Sequence, residues 1–427
     1  MEVLDRTLAP DYRTVEEVSV SPIASRRLTN GQMAYWVRAG GQPVVRLECI
    51  FDAGAWYEAM PGVSTLAMKM LAEGTSTRTS AAISAYFDRY GAFLETHSGT
   101  DRTSLTVYCL TKYLPQILPL FCELIADSAI PEKELNDQKN LTRQSLRVNL
   151  EKNNYVAGMV IREKVFGATH PYGHCQSLET LDAIDTPTIQ TFYQRHIRNR
   201  PFRLLLAGEV TESDVDLLDQ YLGQLAVEAS TAPTRTPERM TTPERAILIE
   251  REDSLQSSIR MGRPLFTRRH PDYFPMLVLN EVLGGYFGSR LMKNIREEKG
   301  FTYGIWSNVA TFPREGYWVI GTDVKREFTV QTLEETRKEM RILREEPVPA
   351  DELEVVKNYM AGSFVGSLNT PFEIADRYKG ILFDGLPTDY LTTYIHRLRA
   401  VTAEQVQQMA QQYLREEDWI EVVVGNK

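Results

Sequence analysis

The sequence predicts an α+β fold made of two homologous domains, each a mostly antiparallel sheet with helices packed on it. Three observations carry this. A helix-then-strand unit occurs twice at constant spacing, a Pro-, Thr- and Ala-rich stretch separates the copies, and each half opens with strand-like runs. At 427 residues the chain also exceeds one ordinary domain.

In chain order, Met33-Ala-Tyr-Trp-Val37 and Val44 to Phe51 read as two paired strands with Gly40-Gly41 in the turn between them. Gly62 to Thr75 reads as a helix running into a Gly-Thr turn, and Pro131 to Phe166 as one long helix. Thr186 to Ile197 has helical period and precedes the strand-like Phe202 to Gly208. The same unit returns at Gln405 to Leu414 and Trp419 to Gly425. Ile189, Phe192, His196, Ile197 and Gly208 map onto Val406, Met409, Tyr413, Leu414 and Gly425 at one offset of 217 residues. Ala246 to Ile249 and Ser257 to Met261 hold the place of the opening strands in the second half. Ala226 to Arg245 has few apolar anchors and reads as a linker. The expected division is therefore 1–225, a linker at 226–245, and 246–427, arranged as one half of a clamshell.

Composition narrows the function classes. Hydrophobic residues make up 43% and charged residues 25%, as in a globular protein, and no window approaches about eighteen uninterrupted apolar residues. No membrane span is expected, and Met1 to Arg6 mixes charges too early for a secretory signal. Net charge is −9, and the short basic run Arg195 to Arg200 reads as a solvated helix end, which argues against nucleic-acid binding. The four cysteines show no Cys-x-x-Cys spacing. Cys49, Cys109 and Cys122 lie in apolar runs, so buried thiols in a reducing compartment, the cytoplasm, are expected.

Chemistry-bearing residues cluster between Gly284 and Gly304. A Gly-rich turn leads into a helix from about Ser289 to Glu298, Gly300 ends it, and a strand follows. Gly284-Gly-x-x-Gly lacks the Gly-Lys-Ser/Thr ending of a phosphate-binding loop; its plain reading is a loop with glycines at positive φ. Arg296 by itself is a helix-end cation, and Tyr303 a half-buried strand aromatic. His170 and His174 have i, i+4 spacing, but Pro171 and Gly173 make a helix there improbable, so this segment reads as a structural loop.

The Gly62 to Thr75 frame resembles the zinc-site helix of the insulinase/pitrilysin metallopeptidases. There the frame carries His-x-x-Glu-His, two imidazoles on one helix face and a glutamate that activates water. Here those positions are Thr65, Met68 and Lys69. The third ligand of the family, a glutamate on a second helix, would fall near Gln144 to Leu146, and no acidic residue lies between Asp137 and Glu151. The run from Gly284 through Leu291 and then Ile-Arg-Glu-x-x-Gly-x-x-Tyr from Ile295 to Tyr303 is similar to the signature of the family's second domain. The resemblance implies that Arg296 and Tyr303 reach substrate bound at zinc, with Gly284, Gly285 and Gly288 in the substrate-binding turn. Gly91-Ala-Phe-Leu, Phe166 to Gly173, Arg314 to Trp318 and Gly385 to Tyr390 extend the match over most of the chain. The strand after Gly91 would be the edge that receives an extended peptide, but Glu95-Thr96 stands where the family favours Asn-Ala.

A lost metal site with a retained Arg/Tyr pair matches the non-zinc subunit of two-chain members. The resemblance then implies no metal or cofactor in this chain, zinc in a homologous His-x-x-Glu-His partner, and an unfolded peptide as substrate. The chain alone would be inactive, and a homodimer is the other assembly left open. The alternative is a non-catalytic scaffold or peptide-binding subunit, like the core proteins of the respiratory cytochrome complex.

Overall fold

The computed structural model describes residue 7 and residues 14–229, 237, 239 and 243–426. Met1 to Arg6 and much of the 226–245 segment lie outside the described residues, and with them the expectations placed there.

Among the described residues, eleven strands form two sheets. The first contains β1 (Ile23–Arg27), β2 (Met33–Arg38), β3 (Val44–Phe51), β4 (Phe93–Ser98), β5 (Thr103–Leu110) and β6 (Phe202–Gly208), in the order β1-β2-β6-β3-β5-β4. The second contains β7 (Ala246–Glu250), β8 (Gln256–Leu265), β9 (Thr302–Thr311), β10 (Gly316–Lys325) and β11 (Ile420–Gly425), in the order β7-β11-β8-β10-β9. Without β1 the two orders are the same topology. In each, one pair is parallel, β2 with β6 and β7 with β11, and the other pairs are antiparallel.

The repeat is realised down to its caps. The Thr186–His196 helix is capped by the Asp185 side chain and the Ala403–Tyr413 helix by Thr402, at the same offset of 217. Ile189 and Phe192 are buried in one, Val406 and Met409 in the other. The following strands end in Gly208 and Gly425, both at positive φ.

One expectation is corrected. Met33 to Val37 and Val44 to Phe51 do not pair with each other: β6 lies between them, parallel to the first and antiparallel to the second. A short Gly-containing connection suggested a hairpin, but the strand that intervenes comes from more than 150 residues later. The long helix is also broken, into Glu132–Leu150 and Asn153–Phe166, with Lys152 in extended backbone at the break.

That break redirects the chain onto the other half. Asn153–Phe166 lies across β8 and β11, where Ala157, Ile161, Val165 and Phe166 pack with Ile420, Val422 and Val424. Pro371–Asp384 does the converse, lying across β2 and β6, so that Ile374, Ala375 and Tyr378 join Val37, Leu205 and Ala207. Each half thus lends one helix to the sheet of its neighbour. The remaining face of the first sheet holds Val45, Leu47, Cys49, Leu204 and Leu206 against that half's own helices. Strand periodicity explains the split: alternate residues of β3 serve two different cores. Arg46 and Glu48 are on the exchanged face, paired with Asp376 and Lys379. As a division of the sequence, 1–225 and 246–427 remains our proposal; packing crosses it in both directions.

Cys49, Cys109 and Cys122 are buried and all four cysteines are free. Burial pushes the Cys109 and Cys122 thiols up to about 12. No helix among the described residues is long and apolar enough to cross a membrane.

Candidate functional site

Two places carry the sequence-derived candidates. The first is the Val63–Met70 helix. Its N-terminus is held by Glu58, which accepts from the Ser64 backbone N–H at 2.9 Å and the Ser64 hydroxyl at 2.7 Å. Gly62 precedes it at φ 99°, and a Cβ there would lie 2.0 Å from Gln176 Nε2, so only glycine admits both the backbone turn and the neighbouring amide. Thr65 is exposed and Lys69 partly buried, four residues apart on one face; Met68 is 1% exposed and belongs to the core. Lys69 faces the Glu132–Leu150 helix across a cavity lined by Gln138, Thr142 and Ser145. The region expected to hold the third ligand contributes Ser145 and Leu146 to that cavity, and neither is a carboxylate.

Zinc does not fit this donor set. A hydroxyl, a core thioether and an ammonium offer no imidazole or anionic ligand. Among the described residues no group of three or more His, Cys, Asp or Glu is arranged to hold a metal ion. His170 and His174 sit in turns, not on a helix. His170 is buried, stacked on Phe166, and has Nε2 3.4 Å from Glu315; His174 Nε2 lies 3.2 Å from Glu58. Burial, partly opposed by Glu315, lowers the basicity of His170.

The second place is the Gly-rich segment and β9. The Tyr273–Asn280 helix runs into a widened turn, Glu281–Gly285, and a second widened stretch spans Met292–Glu298. Such i→i+5 turns are uncommon and recur at functional sites. The expected helix is present, but Gly284, Gly285 and Gly288 are not among the glycines at positive φ. Their use is close approach. A Cβ on Gly284, which is buried, would lie 2.9 Å from Ser307 of β9, and one on Gly285 would meet the Glu281 carboxylate. Gly285 is exposed and Gly288 partly so. With no other titratable group responsible, burial raises the Glu281 carboxyl to about 7.

This segment is braced from behind. Arg290 forms a two-pronged pair with Glu352 at 2.8 and 3.0 Å, and Asn294 donates to Glu335 and Glu339. Arg296, by contrast, has no carboxylate partner among the described residues; its guanidinium lies 4.4 Å from the ring centre of Phe287, itself 62% exposed. Tyr303 stands on β9, the edge strand of the second sheet, and is 95% exposed. A half-buried strand aromatic was the plain expectation; this ring contributes nothing to the core. At the edge of the first sheet, β4 carries Glu95 and His97 outward with Phe93, 62% exposed.

Comparison with known proteins agrees with this architecture. Residues 37–170 match the family model for insulinase (peptidase family M16), and residues 183–360 match that for the peptidase M16 inactive domain. The chain belongs to the M16 peptidase family, as a member of the inactive type, and its sequence contains no His-x-x-Glu-His. It is 24% identical over 362 residues to the uncharacterized zinc protease YmxG of Bacillus subtilis, covering 83% of this chain and 86% of that one. It is 19% identical over 374 residues to the non-peptidase homolog YmxG of Helicobacter pylori, covering 86% and 85%. A crystal structure of a peptidase M16 inactive domain from Pseudomonas fluorescens superimposes with a TM-score of 0.85 at 24% identity, over 95% of this chain and 98% of that one. The periplasmic protease PqqL from Escherichia coli gives 0.79 at 16% identity, over all of this chain and 48% of that one.

Proposed function

We propose that this protein is the non-zinc subunit of a heterodimeric metallopeptidase, closing against a His-x-x-Glu-His partner around an unfolded peptide. Arg296 and Tyr303 serve the partner's site: the guanidinium holds a substrate carbonyl, and the phenol donates to the oxyanion of the tetrahedral intermediate. The exposed Gly285 and the partly exposed Gly288 flank the peptide. The observation that carries this reading is Tyr303, a tyrosine 95% exposed on a sheet edge, with no hydrogen-bond partner of its own among the described residues. A large aromatic held so far from its own core is available to a second surface. The free cysteines support a cytoplasmic setting as part of the same proposal.

The test mixes the purified chain with a candidate His-x-x-Glu-His partner and follows cleavage of a quenched fluorescent peptide. Each chain alone is the control, and zinc is measured in all samples. Activity only in the mixture, with about one zinc per pair, is the expected result. A stable complex whose turnover ignores Arg296→Ala and Tyr303→Phe would instead favour the scaffold reading.

A further inference from the structure

The cavity beside Lys69 has the wrong charge for a cation and a suitable one for an anion. It has a volume of about 350 Å³, at the small end of ligand cavities. Lys69 enters it from the Val63–Met70 helix, and no carboxylate among the described residues lies within ion-pair distance of the ammonium. The nearest acidic side chain along the chain, Glu73, is engaged with Gln138 and Ser80, at 2.8 Å each.

Accounting for the polar wall leaves donors over. Gln138 gives a hydrogen to Glu73, and the Thr142 hydroxyl donates to the Gln138 carbonyl at 2.8 Å. The Asn149 amide oxygen accepts from Lys152, and neither its NH2 group nor the Ser145 hydroxyl has a side-chain partner among the described residues. An ammonium, an amide NH2 and a hydroxyl therefore remain around one small space. Beside them the cavity is lined by apolar groups: Leu141, Leu146 and the Tyr155 ring. Leu141 is 58% exposed, and Val148, seven residues on and on the same stripe of the helix, is 55% exposed.

An anion joined directly to an apolar group satisfies both kinds of lining at once. We propose that this cavity captures the free C-terminal carboxylate of a peptide whose last residue is apolar. The carboxylate pairs with Lys69 and accepts from Ser145 and Asn149, while the terminal side chain covers Leu141 and Tyr155. This goes beyond the two-subunit proposal and uses neither Arg296 nor Tyr303. A side-chain carboxylate is the less suitable source, because it carries no apolar group next to the charge.

The experiment is a fluorescence-anisotropy titration of the isolated full chain with a dye-labelled peptide ending in leucine, as the free acid and as the amide. A charge-assisted contact makes the acid bind roughly ten- to a hundredfold tighter. Lys69→Met removes that preference, Lys69→Arg retains most of it, and Ser145→Ala gives a smaller loss. Added salt weakens the acid and leaves the amide unchanged. Melting curves of each variant keep a folding defect distinguishable from a lost contact. Equal binding of acid and amide, no detectable binding of the acid, or an unaltered preference in Lys69→Met would overturn the proposal. So would equal binding of an amidated peptide carrying an internal glutamate. Because the readout is binding by one chain, failure of the trans-acting roles leaves it intact, and the reverse holds.

Discussion

The Arg46 guanidinium on β3 grips Asp376 with two hydrogen bonds of 2.9 Å across 330 residues of sequence. Lys379, one turn further along the same helix, reaches Glu48 at 3.0 Å and Asp376 at 3.1 Å. The pair fixes the exchanged Pro371–Asp384 helix in register over the first sheet. Removing Asp376 leaves Arg46 buried without its main partner. A fully buried broken pair costs about 3–5 kcal/mol, and because Asp376 is half exposed, Asp376→Ala is expected to cost about 2–4 kcal/mol. Arg46→Met, which keeps the packing and removes the stranded charge, costs less. Urea unfolding of the two variants gives the comparison.

Tyr303 and Arg296 are expected to separate stability from turnover. Neither anchors the core, so Tyr303→Phe shifts unfolding by no more than about 0.5 kcal/mol. In the mixed complex the same change lowers turnover roughly 10²–10³-fold with the complex still formed. A variant that loses both the complex and the activity would point to a docking role for the edge strand instead.

Glu281 makes the Gly-rich segment sensitive to pH near neutrality. Its carboxyl sits at about 7 in the folded chain, against an ordinary value near 4.5. Between these values the folded state holds the extra proton, so stability falls as pH rises from about 4.5 to 7. Glu281→Gln keeps the hydrogen-bonding shape without the charge. It is expected to raise the melting temperature at pH 8 and to change it little at pH 4.5.

His196 acts in the opposite direction. Burial, with Arg195 and Arg200 nearby, depresses it to about 4. It packs against Tyr57 and Phe192, with ring centres 5.4 and 5.0 Å away. The unfolded chain binds this proton first, so its contribution is full above about pH 6.5 and is lost as pH falls through 4. His196→Phe should flatten the stability profile over that window, as read by denaturant midpoints at several pH values.

Placing a His-x-x-Glu-His motif on the Val63–Met70 helix is expected not to create a zinc site. Met68 is 1% exposed within the core of the first half, and a glutamate there buries an unpaired carboxylate. Thr65→His with Met68→Glu and Lys69→His should therefore unfold at lower denaturant and bind no stoichiometric zinc, as the facing helix lines the cavity with Thr142 and Ser145 and with no acid there. Stoichiometric zinc by elemental analysis would overturn this expectation.

Local signals made much of this fold legible. The Ile189/Val406 and Phe192/Met409 periodicities, and the glycines that end the two following strands, identify the repeated unit directly. The position of β6 between β2 and β3 was not legible, because pairing across so long a separation leaves no local trace. Nor was the helix exchange, although Arg46 and Glu48 at alternate positions of an apolar strand, answered by Asp376 and Lys379 three residues apart, record it in retrospect. At the candidate site, that Thr65, Met68 and Lys69 offer no zinc ligands follows from residue chemistry, while their assignment to ligand positions rests on the resemblance. The extreme exposure of Tyr303 and the unengaged donors around Lys69 were not, since both depend on what fails to pack against them.

The exchange of helices also changes what it means to cut this molecule in two. Pieces separated within 226–245 would each carry a helix with no sheet beneath it and a sheet with Val37, Leu205 and Ala207, or Ile420 and Val424, uncovered. Either fragment made alone should be sticky and poorly folded. Produced together, they should find one another and stay associated after the covalent link is gone, as an interlocked pair whose peptide tether sets only their local concentration.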